Sequence, residues 1–208
     1  RDWPQRKKDE TPWLMDWAQR FRGLYDNFER IVAADPMMLY RPANRAAVDF
    51  HGSNAFIRYF RAGNRTSKTQ SGYAEHYFVT TEQHKWRYFP TGPHSTFIVG
   101  VNFSKYCPSV FEKKFLTGEQ GNPLSPMFPQ GGKWLHRYDE RRHEIQIACP
   151  RCANSGKATT CPHTKSTIRL FSDTEGWEVL QGGAYILGHF DEHIGEDFFN
   201  ESIQRLQT

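Results

Sequence analysis

The chain has 208 residues, the usual size of one α/β domain, and its net charge of +4 permits a polyanionic partner without requiring one. Its 16 Phe, nine Tyr and six Trp exclude a disordered chain, because disordered segments are poor in aromatic residues. The mean hydropathy is −0.75, no apolar run approaches the ~20 residues of a membrane span, and no apolar leader opens the chain. These features exclude a membrane protein and predict a cytosolic setting.

Helix and strand patterns alternate along the sequence. Helical patterns cover five segments: 12–34, 43–51, 68–81, 106–116 and 196–207. Strand patterns, rich in aromatic and β-branched residues, cover five more: 55–61, 96–101, 143–147, 167–171 and 184–190. Because helical segments separate strands, we expect an α/β fold whose mostly parallel sheet is flanked by helices. Residues 1–51 are expected to form a helical N-terminal arm, and residues 52–208 the core domain.

A phosphate-binding loop is predicted between the first strand and the helix that follows it. Such a loop needs inward-pointing backbone N–H groups, a lysine for the β- and γ-phosphates and a hydroxyl for Mg²⁺. Lys68 and Thr69 supply the last two groups. The remaining loop residues predicted to bind the cofactor are Gly63, Asn64, Arg65, Thr66 and Ser67. The alternative interpretation is a basic turn that happens to contain a Lys-Thr pair.

An acidic pair follows the last predicted strand. Phosphoryl transfer needs a carboxylate near Mg²⁺ and a second group that orients or deprotonates the attacking water. Asp191 is predicted to hold Mg²⁺ together with Thr69, and Glu192 to act as the base. In wound α/β folds such groups project from the carboxyl ends of strands, beside the phosphate loop. A solvated strand end is the alternative.

In this order, these patches resemble the ATPase part of the large terminase subunit, the DNA-packaging motor of tailed bacteriophages. The resemblance covers roughly residues 40 to 208 in ordered patches. Its main patches are Phe50-His51, the loop from Ala62 to Thr69, and Phe190-Asp191-Glu192 with the helix after it. It implies a P-loop NTPase fold, ATP and Mg²⁺ as cofactors, and Lys68 and Glu192 as catalytic residues.

The resemblance also implies partners and a location. The partners would be double-stranded DNA, the portal, the small terminase subunit and further copies of the chain in a ring; the location would be the procapsid vertex in the cytoplasm of the infected bacterium. The family's nuclease domain has no counterpart here. Ala62 and Ser67 stand where the family has glycine. They favour a second reading, a non-hydrolysing zinc-containing DNA-binding or adaptor module with an ATPase-like fold. A helicase half is a third.

Three of the four cysteines cluster with a histidine. Cys149, Cys152, Cys161 and His163 give the spacing C-x₂-C-x₈-C-x-H. Four soft or borderline ligands suit tetrahedral Zn²⁺, and a site with all four positions filled is structural, not catalytic. We therefore expect a zinc-binding hairpin inserted at about 143–171, between two strands. A redox pair at Cys149 and Cys152, for which no helix start is evident, and unrelated surface thiols are the alternatives.

Other conspicuous residues have structural predictions. The fourth cysteine, Cys107, is expected to be a buried small hydrophobe. The aromatic stripe of Trp13, Trp17 and Phe21 in the first helix is predicted to be core or a face that docks a partner. Packing or solvent exposure is expected for five histidines that lack ligand spacing: His51, His76, His136, His189 and His193.

Overall fold

One five-stranded sheet organises the chain in a computed structural model that describes residues 11–60, 67–100, 102–191 and 194–206. The strands are β1 (Ser95–Gly100), β2 (Leu135–Asp139), β3 (Glu144–Ile147), β4 (Ser166–Ser172) and β5 (Leu187–Phe190). The strand order across the sheet is β2-β3-β4-β1-β5.

The sheet is mixed, so the prediction of a mostly parallel sheet is wrong. Strands β4, β1 and β5 run parallel, whereas β2, β3 and β4 pair antiparallel. The sheet has more antiparallel pairing than predicted because it contains β2, a strand that was not predicted from the sequence. A short turn joins it to β3, and a short turn permits only antiparallel pairing. In that turn the backbone N–H groups of Arg141 and Arg142 donate to Asp139 Oδ1 at 3.1 and 3.2 Å.

The described residues form six α-helices. They are α1 (Thr11–Ala34), α2 (Arg45–Gly52), α3 (Lys68–Thr80), α4 (Phe103–Tyr106), α5 (Pro150–Asn154) and α6 (Glu196–Arg205). Short 3₁₀ turns cover Pro36–Leu39, Asp173–Glu175 and Trp177–Leu180. After α4 the chain continues in wider π-helical turns over Cys107–Phe111 and Lys113–Thr117, where a regular helix was predicted. Pro108 has no N–H to donate to a regular helix at this point.

The strand predicted over 55–61 is wrong for the residues that the structure describes. Residues 55–60 contain no strand, and Phe56, Ile57 and Tyr59 are exposed. Their β-propensity is not realised because propensity depends on a neighbouring strand to pair with. Instead, the Arg58 guanidinium ties this segment to the Phe50 carbonyl oxygen at 2.8 Å.

The core lies on both faces of the sheet. In β1, Ile98 packs on the α3 face, whereas Phe97 and Val99 pack on the α6 face. All three are fully buried, as the continuous apolar run of this strand predicts. Helix α3 is buried from Ser71 to Thr80. Among the described helices, none is both long and apolar enough to cross a membrane.

Candidate functional site

The structure brings together two of the residues predicted for the phosphate and metal site. Thr69 lies in the first turn of α3, and Asp191 follows directly after β5. The Thr69 hydroxyl donates to Asp191 Oδ1 at 3.2 Å, across 122 positions of sequence. The amino end of a helix therefore meets the carboxyl end of a parallel strand, which is where phosphate ligands bind in α/β folds.

A glycine sets the distance between these two elements. Gly72 lies one turn after Thr69, directly against the His189 ring of β5. A Cβ at position 72 would overlap that ring, so any other residue would force the ring or α3 to shift. The close approach that puts Thr69 beside Asp191 thus depends on Gly72.

Two tyrosines hold the Asp191 carboxylate from its other side. The Tyr106 hydroxyl donates to Asp191 Oδ2 at 2.9 Å, and the Tyr73 hydroxyl donates to the Tyr106 oxygen at 3.0 Å. Burial above all, with a smaller contribution from the Asp191 charge, raises the pKa of both phenols, so both remain protonated donors. The ring of Tyr106 rests on Gly100, where a Cβ would lie 2.6 Å from it.

These two hydrogen bonds were not predicted from the sequence. Tyr73 is 33 positions from Tyr106, which is 85 positions from Asp191. No local spacing links residues so far apart, and a tyrosine in an apolar helix is first interpreted as core.

The residues before α3 include a strained backbone position. Ser67 is the N-cap residue and has φ +61° and ψ +23°, in the left-handed region that favours glycine. The next residue, Lys68, opens α3 and is partly exposed. Four predicted loop residues, Gly63, Asn64, Arg65 and Thr66, lie outside the described part of the chain, as does the predicted base Glu192.

The donor atoms at this site suit Mg²⁺. The Thr69 hydroxyl and the Asp191 carboxylate are hard oxygen ligands, the type that Mg²⁺ prefers. The imidazole of His189 lies behind them, with its Nε2 3.9 Å from Asp191 Oδ1. Burial lowers the pKa of His189, which keeps the ring neutral near pH 7. The residues present therefore fit a magnesium ion held by oxygen.

A second group of buried ionisable residues centres on Glu75 of α3 and was not predicted. Glu75 Oε1 accepts from His51 Nδ1 at 2.6 Å and from His84 Nε2 at 3.0 Å, while Oε2 accepts from Arg58 Nη2 at 2.6 Å. Burial alone would raise the pKa of Glu75, but the two histidine hydrogen bonds and the Arg58 charge hold it well below its usual range.

Although these two histidines and the carboxylate are close enough to share a metal ion, their hydrogen bonds oppose it. His84 Nδ1 accepts the backbone N–H of Arg87 at 3.1 Å, so Nε2 carries the ring proton and cannot be a ligand. The guanidinium groups of Arg58 and Arg87 also face the same carboxylate, at 2.6 and 3.7 Å. The cluster is thus a charge network that fastens the segment around Arg58 to α3.

The cysteine cluster has the geometry of an ordinary zinc site. Tetrahedral ligands at typical zinc bond lengths lie ~3.8 Å apart for two sulfurs and ~3.5 Å apart for sulfur and nitrogen. Here Cys149 Sγ and Cys161 Sγ are 3.8 Å apart. His163 Nδ1 lies 3.3, 3.4 and 3.8 Å from Sγ of Cys149, Cys152 and Cys161. The four predicted ligands therefore form a possible metal site whose spacing is compatible with zinc.

Local structure explains why these ligands converge. The cluster lies between the antiparallel strands β3 and β4, as predicted, but a short helix that was not predicted follows Cys149. Cys149 is the N-cap of α5, which turns Cys152 back towards it. Burial raises the pKa of Cys161, but backbone hydrogen bonds from Cys149 and His163 outweigh it and lower that pKa to about 6, which favours the thiolate ligand.

The cysteine cluster and the Thr69–Asp191 pair lie at opposite ends of the parallel strands. Strand β4 begins just after the cluster and runs parallel to β1 and β5, whereas Asp191 follows the end of β5. Strand β4 has seven residues, so its two ends are ~20 Å apart. The possible metal site therefore lies away from the Thr69–Asp191 pair.

In comparisons with models of protein families, with curated proteins and with solved structures, nothing matches this chain. Its function has to be inferred from the residues themselves.

Proposed function

We propose that this chain binds and hydrolyses Mg-ATP at the junction of α3 and β5. The observation that carries the proposal is the 3.2 Å hydrogen bond between the Thr69 hydroxyl and the Asp191 carboxylate. A hydroxyl after a lysine, at the start of a helix, next to an acid at the end of a parallel strand, is the arrangement that holds Mg²⁺ and phosphates in nucleotide-hydrolysing α/β proteins.

Each residue of this site has a distinct role. Lys68 pairs with the phosphate oxygens, while Thr69 and Asp191 hold Mg²⁺. The positive end of the α3 dipole attracts the phosphates. When bound, Mg²⁺ neutralises the charge that develops on the phosphate oxygens. Glu192, next in sequence to Asp191, would orient and deprotonate the attacking water.

More specifically, we assign this site to the motor domain of a viral terminase large subunit, which would drive double-stranded DNA into procapsids. This assignment rests on the ordered patches that resemble the family. It carries with it the P-loop NTPase fold, the portal and small terminase subunit as partners, a ring of subunits, and the procapsid vertex in the host cytoplasm. Zn²⁺ bound by Cys149, Cys152, Cys161 and His163 would stabilise the β3–β4 connection.

A non-hydrolysing adaptor or DNA-binding module is the second candidate. Ser67 favours this candidate, because its backbone is in the left-handed conformation, at a position where a phosphate loop ordinarily has glycine. A loop of this kind could bind nucleotide weakly and turn it over slowly or not at all. The two candidates differ in hydrolysis and share the same fold.

The test is calorimetric titration of the protein with Mg-ATP, run beside phosphate release in the presence of double-stranded DNA. Lys68→Ala should weaken binding at least tenfold, whereas Lys85→Ala, at an exposed lysine outside the site, should not. DNA-stimulated phosphate release that Glu192→Gln abolishes would support the motor. Binding without release would favour the adaptor. Wild-type protein that binds no Mg-ATP would overturn the motor and any nucleotide binding at this loop, whereas a DNA-binding or adaptor role does not require nucleotide.

A further inference from the structure

Helix α1 presents an uncovered row of large apolar side chains. Trp17, Phe21, Leu24, Phe28 and Ile31 are each between 41% and 70% exposed. Soluble proteins rarely leave so many large apolar side chains together in water, and rows of this size usually mark an interaction surface. The rings of Trp17 and Phe21 already stack on one another, with centroids 5.4 Å apart.

Most of α1 stands clear of the sheet. The backbone hydrogen bonds that link it to the rest of the described chain are at its carboxyl end. The Asp35 N–H donates to the carbonyl oxygens of Ile31 and Val32, and the Lys133 N–H donates to that of Ala34. A helix of 24 residues extends ~36 Å, so its exposed row is long enough to lie along another helix.

The spacing of the row is that of a helix that pairs with a helix. Its five members, Trp17, Phe21, Leu24, Phe28 and Ile31, are alternately four and three positions apart, an average of 3.5 residues. This is the period of a coiled-coil seam, the row of side chains along which two helices pack, and we call these five residues the α1 seam. The seam is narrower than the stripe with which a helix packs on a sheet. The occupant that the spacing predicts is therefore an α-helix.

From charge and area, we infer that the occupant is α1 of a second copy of this chain. Residues 16–34 of α1 carry three acidic and three basic side chains, all outside the seam, so two identical helices would not repel each other. The exposed parts of the five side chains amount to roughly 500 Å² per copy, taking ~200 Å² for an aromatic side chain. Two copies would bury at most roughly 1,000 Å² from these side chains, which is the lower limit for a specific interface.

Pairing of this kind is independent of the nucleotide site. The α1 seam shares no residue with Lys68, Thr69 or Asp191, and a symmetric pair would use the same face of both copies. It would make the oligomer depend on α1, whether or not the chain hydrolyses ATP.

The test is the mass of the full chain in solution, measured by sedimentation equilibrium over a range of concentrations. Wild-type protein should approach twice the 24.3 kDa of one chain. Phe28→Lys puts a charge into the seam and should return the mass to that of one chain. Gln19→Lys adds the same charge at an exposed position outside the seam and should behave as wild type.

Both variants should keep the wild-type zinc content and circular dichroism, because Phe28 and Gln19 are exposed. If Phe28→Lys perturbs the fold, hydrogen exchange of the wild type replaces it: amides of residues 17–31 should become more protected as the concentration rises. A wild-type mass of one chain at every concentration would overturn the inference. An assembly that survives Phe28→Lys in folded protein would also overturn it, since the contact would then lie elsewhere.

Discussion

The Thr69 hydroxyl and the Asp191 carboxylate lie 3.2 Å apart, although 122 positions of sequence separate them. The contact joins the first turn of α3 to the end of β5, and Tyr106 holds the second carboxylate oxygen at 2.9 Å. The carboxylate is therefore fixed on both sides before any ligand arrives. Such fixed donors are what a phosphate-transfer site requires, because positioning and electrostatics supply most of its catalysis.

Gly72→Ala is expected to separate α3 from β5. The added methyl group would overlap the His189 ring, at a cost of about 1–3 kcal/mol in the free energy of unfolding, and would move Thr69 away from Asp191. Urea unfolding and Mg-ATP titration measure the two effects. Gly52→Ala is the matched control: no described atom lies within 4 Å of a Cβ there, so stability should not fall. Adding His189→Ala to Gly72→Ala should restore part of the loss; equal losses with and without His189 would refute the overlap.

Ser67→Gly is expected to stabilise the protein by about 1 kcal/mol, because glycine adopts the left-handed conformation without the clash that Cβ makes. It should also tighten Mg-ATP binding if the loop cradles phosphate. The measurements are thermal unfolding with and without Mg-ATP. Ser53→Gly is the control, since Ser53 has φ −71° and glycine there should only lose stability. A Ser67→Gly protein less stable than wild type would contradict the account.

Glu75→Gln should destabilise the protein most at neutral pH. The folded pKa of Glu75 is depressed, so its contribution to stability is complete above the unfolded pKa of ~4.3 and is lost as pH falls from there towards the folded pKa. Removing the charge leaves Arg58 unpaired, which costs about 3–5 kcal/mol for a buried pair.

The check is urea unfolding of wild type and Glu75→Gln at several pH values. The difference between them should be large at pH 7 and shrink below pH ~4. Glu140→Gln, at an exposed glutamate, should follow the wild type throughout. Because all three proteins keep the cysteine cluster, acid effects on that cluster cancel in the comparison. A difference that does not change with pH would contradict the proposed ionisation.

Cys161→Ser should remove the metal site. Wild-type protein should carry about one zinc per chain, and the loss of one of four ligands should lower zinc affinity and the melting temperature. Cys107→Ser is the control, because Cys107 lies outside the cluster. Elemental analysis and thermal unfolding give the answer. Zinc well below one per chain in the wild type, unaffected by Cys161→Ser, would disprove the site.

Local patterns predicted the parts of this molecule that local forces determine. The helix that begins at Lys68 follows from the spacing of its apolar residues, and the buried strand around Ile98 follows from a continuous apolar run. The possible metal site follows from four ligand residues within fifteen positions, brought together by the connection between two strands. In each case the residues that form the pattern are close together in sequence, so their spacing is enough to predict the structure.

Features that depend on distant partners escaped prediction. Arg58 lies in a segment with strand propensity, but its guanidinium is bound by Glu75 and no neighbouring strand takes up the segment in the described structure. From the sequence, Tyr106 is interpreted as an apolar residue of a helix, and only the structure shows its hydroxyl beside Asp191. Both errors arise because a buried polar contact between distant positions leaves no periodic trace in the sequence.

The most direct test of the proposed site is calorimetric titration of ATP with and without Mg²⁺, on wild type, Thr69→Ala, Asp191→Asn and the double variant. Thr117→Ala, at an exposed threonine, is the control. We expect Mg²⁺ to strengthen ATP binding in the wild type and in the control. Either site variant should lose this gain, and the double variant should lose no more of it than a single variant does. An undiminished Mg²⁺ effect in Thr69→Ala and Asp191→Asn would contradict the proposed site.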